Sequence, residues 1–200
     1  MSESWQQACD AWRIYSEEMA ALSRHLDPAT WAALMAELRG CKGKVVVTGV
    51  GTSGIAARKI AHMLACVERP AIYLNATDAA HGDLGFVGPD DLVIMLSRGG
   101  NSEELTRLLP GLAMKDTPIL CVTENPSSAI ALASRLVIST GVQREIDPLN
   151  MLATTSIVLV LAIFDAACAC LMSESGYSKE TLLAVHPGGD VGLTLRKKAP

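Results

Sequence analysis

The chain has 200 residues, half of them hydrophobic and 19% charged, with a formal net charge of -4. That length and composition suit one globular domain with a sizeable core and exclude a disordered chain. The acidic balance, with no Lys/Arg run, argues against nucleic acid or an anionic membrane as partner.

The first ten residues, MSESWQQACD, are polar and acidic, unlike a signal peptide. Trp5, Cys9, Trp12, Tyr15, Met19 and Leu22 recur at three and four, which predicts a helix over 3–24. Asp27-Pro28 reads as an N-cap and first helical residue, so a second helix is expected to about Leu38. The apolar faces of both could pack on a sheet or on another subunit. Residues 44–58, KVVVTGVGTSGIAAR, follow. Val45, Val46 and Val47, bounded by Gly43 and Gly49, predict a strand buried on both faces of a parallel sheet. Gly49, Gly51 and Gly54 turn the backbone, and a helix over 55–66 would share Ile55, Ile60, Met63 and Leu64 on one face.

Further strands are expected at 70–74, 91–97, 118–123 and 135–140, with helices at 103–114 and 126–133. The stretch 75–88 reads as a loop containing His81, and 141–150 as a polar loop containing Glu145. Residues 151–172 are apolar enough for a membrane span, but Asp165, Thr154, Thr155 and unbiased flanks favour a buried central helix. A last helix over 178–185 ends in His186-Pro187-Gly188-Gly189. Strands alternating with helices specify an α/β fold with a parallel, doubly wound sheet. No linker or repeat divides it, so one domain is expected over 1–200: helices in 1–40 and an α/β core in 44–200. Cys9, Cys41, Cys66, Cys121, Cys168 and Cys170 form no C-x-x-C pair and read as small hydrophobes in a reducing, cytoplasmic setting.

A glycine turn between a buried strand and a helix N-terminus is an anion seat, because free N–H groups and the helix dipole favour negative charge. Thr52 and Ser53 add hydroxyls there, and Ser97-Arg98-Gly99-Gly100-Asn101-Ser102 repeats the arrangement after the third strand. Two such loops at adjacent strand ends point to a bound phosphate. Gly49-Val50-Gly51-Thr52-Ser53-Gly54 also matches the dinucleotide fingerprint G-x-G-x-x-G. A nicotinamide site usually ends its second strand on an acidic residue; here Asn75 stands there, and the second loop would be superfluous.

From about Lys42 to Leu195 the chain resembles the sugar isomerase (SIS) family, most closely arabinose 5-phosphate isomerases of the KpsF/GutQ type. The motifs that carry the resemblance are TGVGTSG (48–54), AAHGDLG (79–85), the 97–102 loop, Glu145 with ATTS (153–156), and HPGGDVG (186–192). The resemblance implies a flavodoxin-like, three-layer fold with a five-stranded parallel sheet, a homotetramer with sites shared between subunits, and no cofactor or metal. Ser53, Ser97 and Ser102 match its phosphosugar-binding hydroxyls, with Gly51, Thr52, Gly100 and Asn101 beside them, and Arg98 either reaching the phosphate or projecting into solvent. Glu145 matches an acidic residue that would act as base, and His81 and His186 match the two motif histidines. The compared isomerases carry lysine at Thr52, serine at Gly99 and glutamate at Asn101; Thr52-Ser53 instead resembles the G-T-S loop of glucosamine 6-phosphate synthase. Many relatives continue into CBS regulatory modules, which are expected to be absent here. The resemblance therefore implies a sugar-phosphate isomerase, with a phosphosugar-sensing module as the alternative. Without it, Glu145 reads as a solvated loop charge, His81 as a turn residue, and His186 as a cation at a helix C-terminus.

Overall fold

The structure is a computed structural model that describes residues 2–197. Two helices open the chain, α1 (Glu3–His25) and α2 (Pro28–Gly40). Ser2 caps the first, and Asp27 caps the second by accepting from the amides of Ala29 and Thr30 at 2.8 and 2.9 Å. Five strands follow: β1 (Val45–Gly49), β2 (Ala71–Leu74), β3 (Leu92–Leu96), β4 (Ile119–Val122) and β5 (Leu136–Ile138). All pair in parallel, in the order β2-β1-β3-β4-β5. This is the flavodoxin-like winding expected from the resemblance, and its switch point lies between β1 and β3, where ligands bind in such sheets.

The strands alternate sides as β geometry requires. Val45, Val47, Leu92, Ile94, Leu96, Leu120 and Val122 face one core, shared with α2, α3 (Thr52–Cys66) and α8 (Thr155–Ser175). Val46, Val93, Met95, Ile119 and Cys121 face the other. That second core is covered by α4 (Ala76–Ala80), α5 (Glu103–Thr106), α6 (Leu109–Met114) and α7 (Ala129–Leu132). Helices thus lie on both faces. Two short helices, α9 (Lys179–Val185) and α10 (Gly189–Lys197), complete the described chain.

Several local expectations are corrected. The connection 75–88 is not a plain loop: Asn75 caps α4, and a 3-10 turn spans Asp83–Phe86. The helix expected over 103–114 divides into α5 and α6, with Pro110 in the first turn of α6; proline cannot donate into the preceding turn. The helix expected at 126–133 narrows to α7. Residues 151–154 stay outside α8. HPGG does not end the last helix, because α10 follows. Ile55 does not share the buried face of α3 with Ile60 and Leu64; it is 72% exposed. The apolar helix α8 is long enough to cross a membrane, yet Leu159, Ile163, Phe164, Ala167 and Leu171 are buried against the sheet and α3.

Candidate functional site

The site is built where β1 and β3 end. After β1 the chain turns through Gly51, whose φ of +59° suits glycine, and α3 begins at Thr52. Glycine is also needed at 49 and 54. A Cβ on Gly54 would stand 2.7 Å from the Gly49 carbonyl oxygen, and one on Gly49 would stand 2.8 Å from the Ser53 backbone. This close approach seats the start of α3 on the strand end. Its first amides have no partner within the helix, and Thr52 and Ser53 stand there with no side-chain cap. Thr52 is exposed and Ser53 half-buried.

The loop after β3 is ordered differently. Ser97 is buried, and its Oγ accepts from the Gly100 amide at 3.1 Å and lies 3.0 Å from Ser102 Oγ. Gly100 has φ +67°, and a Cβ on it would fall 1.9 Å from Ser128 Oγ, so only glycine closes this turn. Asn101 Oδ1 accepts from the Ala129 amide at 2.9 Å, which ties the loop to α7. The Arg98 carbonyl accepts from Thr123 Oγ1 and the Glu124 amide, both at 2.9 Å, fixing its backbone while the side chain stays 41% exposed.

Arg98 reaches Glu145. Its Nη1 donates to Glu145 Oε1 at 2.7 Å, and the Glu145 side chain is fully buried. Glu145 Oε2 accepts from the Thr154 amide and hydroxyl, both at 2.9 Å, and from the Ser156 amide at 3.1 Å. The carboxylate therefore also serves the unpaired amides at the start of α8. Burial alone would raise its pKa; the donors from Ser156 and Thr154 outweigh that and hold it below the ordinary glutamate value. The loop carrying Glu145 is itself clamped. Buried Glu18 of α1 accepts from the Gln143 amide at 3.0 Å and Arg144 Nε at 2.9 Å, His25 covers Gly141, and Asn150 Oδ1 accepts from the Glu145 amide at 2.6 Å.

A small cavity of about 40 Å³ lies between Ser53, Ser97, Arg98, Glu124, Thr140 and Ser156. On the β2 side of the glycine loop a larger cleft of about 530 Å³ is lined by Gly49, Gly51, Arg58, Tyr73, Asn75 and Thr77. The structure thus brings Ser53, Ser97, Arg98 and Glu145 together within one subunit, with Gly51, Thr52, Gly100, Asn101 and Ser102 in the same two loops.

His186 is not brought there. His81 ends the short helix α4 and is exposed. His186 ends α9, with Nε2 3.5 Å from the Sγ of Cys66 at the far end of α3. Helix rise puts that end about 21 Å from Thr52. His186 Nδ1 is buried without a partner among the described residues. Sequence reasoning passed over Glu18, Glu124, Thr154 and Ser156 as parts of the site. The ATTS motif was the signal for the last two, whereas Glu18 lies in a helix whose pattern says nothing about a distant loop.

A parallel sheet with two glycine-rich loops opening helices at its switch point, and a buried carboxylate beside them, defines an α/β domain with a candidate anion-binding site. The SIS domain family model matches residues 37–170, and the chain belongs to that family. Arabinose 5-phosphate isomerase KdsD of Escherichia coli K12 is 39% identical over 155 residues, 78% of this chain and 47% of KdsD. The chain spans about half the length of the curated relatives it matches. A Listeria monocytogenes crystal structure, described as a candidate sugar-phosphate isomerase, is 38% identical with a TM-score of 0.90, covering 94% of this chain and all of that one. An Escherichia coli CFT073 protein solved in complex with arabinose 5-phosphate is 30% identical with a TM-score of 0.83, over 94% of this chain and all of that one.

Proposed function

We propose that this chain isomerises an aldose phosphate and a ketose phosphate, and that the pair is arabinose 5-phosphate and ribulose 5-phosphate. The observation that carries the reading is a buried, ionised Glu145 held beside a serine loop suited to phosphate. Membership of the SIS family and the names of the curated relatives support it. Ser53, Ser97 and Ser102, with the amides that open α3, hold the phosphate. Glu145 takes the proton from C2 of the open-chain aldose. The C–H electron pair forms the C1–C2 double bond of an enediolate, and the carbonyl electrons move onto O1. Returning the proton to C1, with a proton passed from O2 to O1, gives the ketose. One carboxylate serves both carbon steps, and a histidine suits ring opening and the oxygen-to-oxygen transfer. The chemistry needs no metal or cofactor.

His81 and His186 take that second role, His186 only if a partner copy delivers it, so the reading includes a homotetramer with shared sites. Trp5 and Trp12 on α1 are 50% and 56% exposed, and an apolar groove runs between Met19, Leu22, Trp31, Ala162 and Ala166, which supports self-association. Light scattering showing a monomer at micromolar concentration would remove His186 from the mechanism. The function itself is tested by assaying a panel of pentose and hexose phosphates in deuterated water. Turnover with deuterium entering C1 or C2 is expected. A second reading, a phosphosugar sensor without turnover, is favoured by the full set of partners on Glu145; tight binding of a sugar phosphate with no turnover would select it.

A further inference from the structure

The geometry points to Arg98 as a phosphate-operated gate on Glu145: the ligand's phosphate and the buried carboxylate compete for one guanidinium, and the base is freed only when a phosphorylated ligand is seated. This deepens the reading of Glu145 as the base. The two carboxylate oxygens of Glu145 are held differently. Oε2 is filled by three donors, all from Thr154 and Ser156. Oε1 holds Arg98, so it is the position where a proton could be received. While the guanidinium stays there, charge and hydrogen bonding both favour the ionised form, and the carboxylate is a poor base.

Arg98 is placed to leave. Its carbonyl is pinned, but its side chain is 41% exposed against none for Glu145. It is the immediate neighbour of Ser97, whose hydroxyl faces Ser102 across 3.0 Å. A phosphate dianion seated on those hydroxyls offers the guanidinium a bidentate acceptor with more charge than a single carboxylate oxygen. Once Arg98 turns to it, Oε1 loses its partner in a buried place beside a dianion. Both changes raise its affinity for a proton.

Few other charges face Glu145. From the end of β4, Glu124 lines the small cavity with Arg98, and its carboxylate is taken by Ser139, Thr140 and Gly141. In the Glu145 loop, Arg144 is drawn to Glu17 and Glu18 of α1, and Asp147 accepts from the amides of Leu149, Met151 and Leu152. The first turn of α8 carries no acidic residue. Arg98 is thus the mobile charge that can set the state of Glu145.

The test uses the whole chain with ¹³C-carboxyl-labelled glutamate and inorganic phosphate as the probe. The Glu145 resonance, assigned with Glu145→Gln, should titrate at higher pH with saturating phosphate than without. In Arg98→Gln it should titrate above the unliganded wild type even without phosphate, so the difference shrinks to the direct effect of the dianion. Arg98→Lys keeps a charge but not the planar fork and should show a smaller difference; it carries the test if Arg98→Gln fails to fold. For an active chain, the acid limb of kcat should lie above that of kcat/KM in the wild type, by clearly more than in Arg98→Gln. Phosphate that binds without moving the wild-type titration, or that does not bind, overturns the gate. A titration that moves in a chain that turns over no sugar phosphate keeps the gate and removes the isomerase reading instead.

Discussion

The loops after β1 and β3 share a plan, a buried strand running through glycines to a helix start, yet they are held in opposite ways. The first is backbone-built. Gly49 and Gly54 press the start of α3 onto the strand, the 15-residue helix supplies a substantial dipole, and the hydroxyls of Thr52 and Ser53 stand uncommitted. The second opens a four-residue helix and is built from side chains: Ser97 with Ser102, Asn101 on α7, Arg98 on Glu145. An anion seat of the first kind tolerates side-chain change, because its donors are amides. One of the second kind fails when any member is removed, because each holds another in place.

The largest effect should come at the end of the second network. Glu145→Gln should lower kcat by about 10²–10⁴ while sugar-phosphate binding by calorimetry persists. Normal turnover in that variant would separate Glu145 from the chemistry. Gly100→Ala comes next, since a methyl there meets Ser128 and must also hold a left-handed φ. A loss of about 2–5 kcal/mol in denaturant unfolding is expected.

Replacing Ser97 and Ser102 by alanine together removes two hydroxyls from a charged ligand. Each such bond is worth about 1.5–3 kcal/mol, so binding should weaken by roughly 10²-fold or more with little change in Tm. Unchanged affinity would move the phosphate to the first loop alone. Acid stability offers a subtler contrast. Glu145 has its folded pKa below the ordinary value of 4.5, so its contribution is present above that pH and is lost as pH falls through the folded pKa. Glu145→Gln should therefore flatten the fall in unfolding free energy below pH 4.5, and an unaltered slope would contradict the hold of the Ser156 and Thr154 donors on the carboxylate. The smallest effect belongs to the first loop: Thr52→Ala should change stability by no more than about 0.5 kcal/mol and binding only a few-fold. A loss as large as that of the serine pair would erase the distinction between the loops.

The strands, the parallel sheet and both loops were legible in local pattern. Val45–Val47, Leu92–Leu96 and Ile119–Val122 are apolar enough to be buried on two faces, and glycines at fixed offsets leave the turns little choice. The SIS resemblance and the serine positions could be read for the same reason, since they lie within a few residues of those turns. The fate of Glu145 depended on the packed fold. In sequence it is one charge in a polar loop. In the fold, Arg98 lies 47 positions away and Glu18 clamps the loop from 125 positions away. The stripe of α1 misled in the same manner: its large apolar residues stay partly exposed, and the one buried residue of that helix is Glu18, because burial there follows the loop it holds. His186 likewise reads as part of a site by motif, yet the length of α3 keeps it from the loops of its own subunit. Periodicity records which residues face a core; it carries no record of which charges meet across a fold, because those encounters depend on chain crossings that local pattern does not encode.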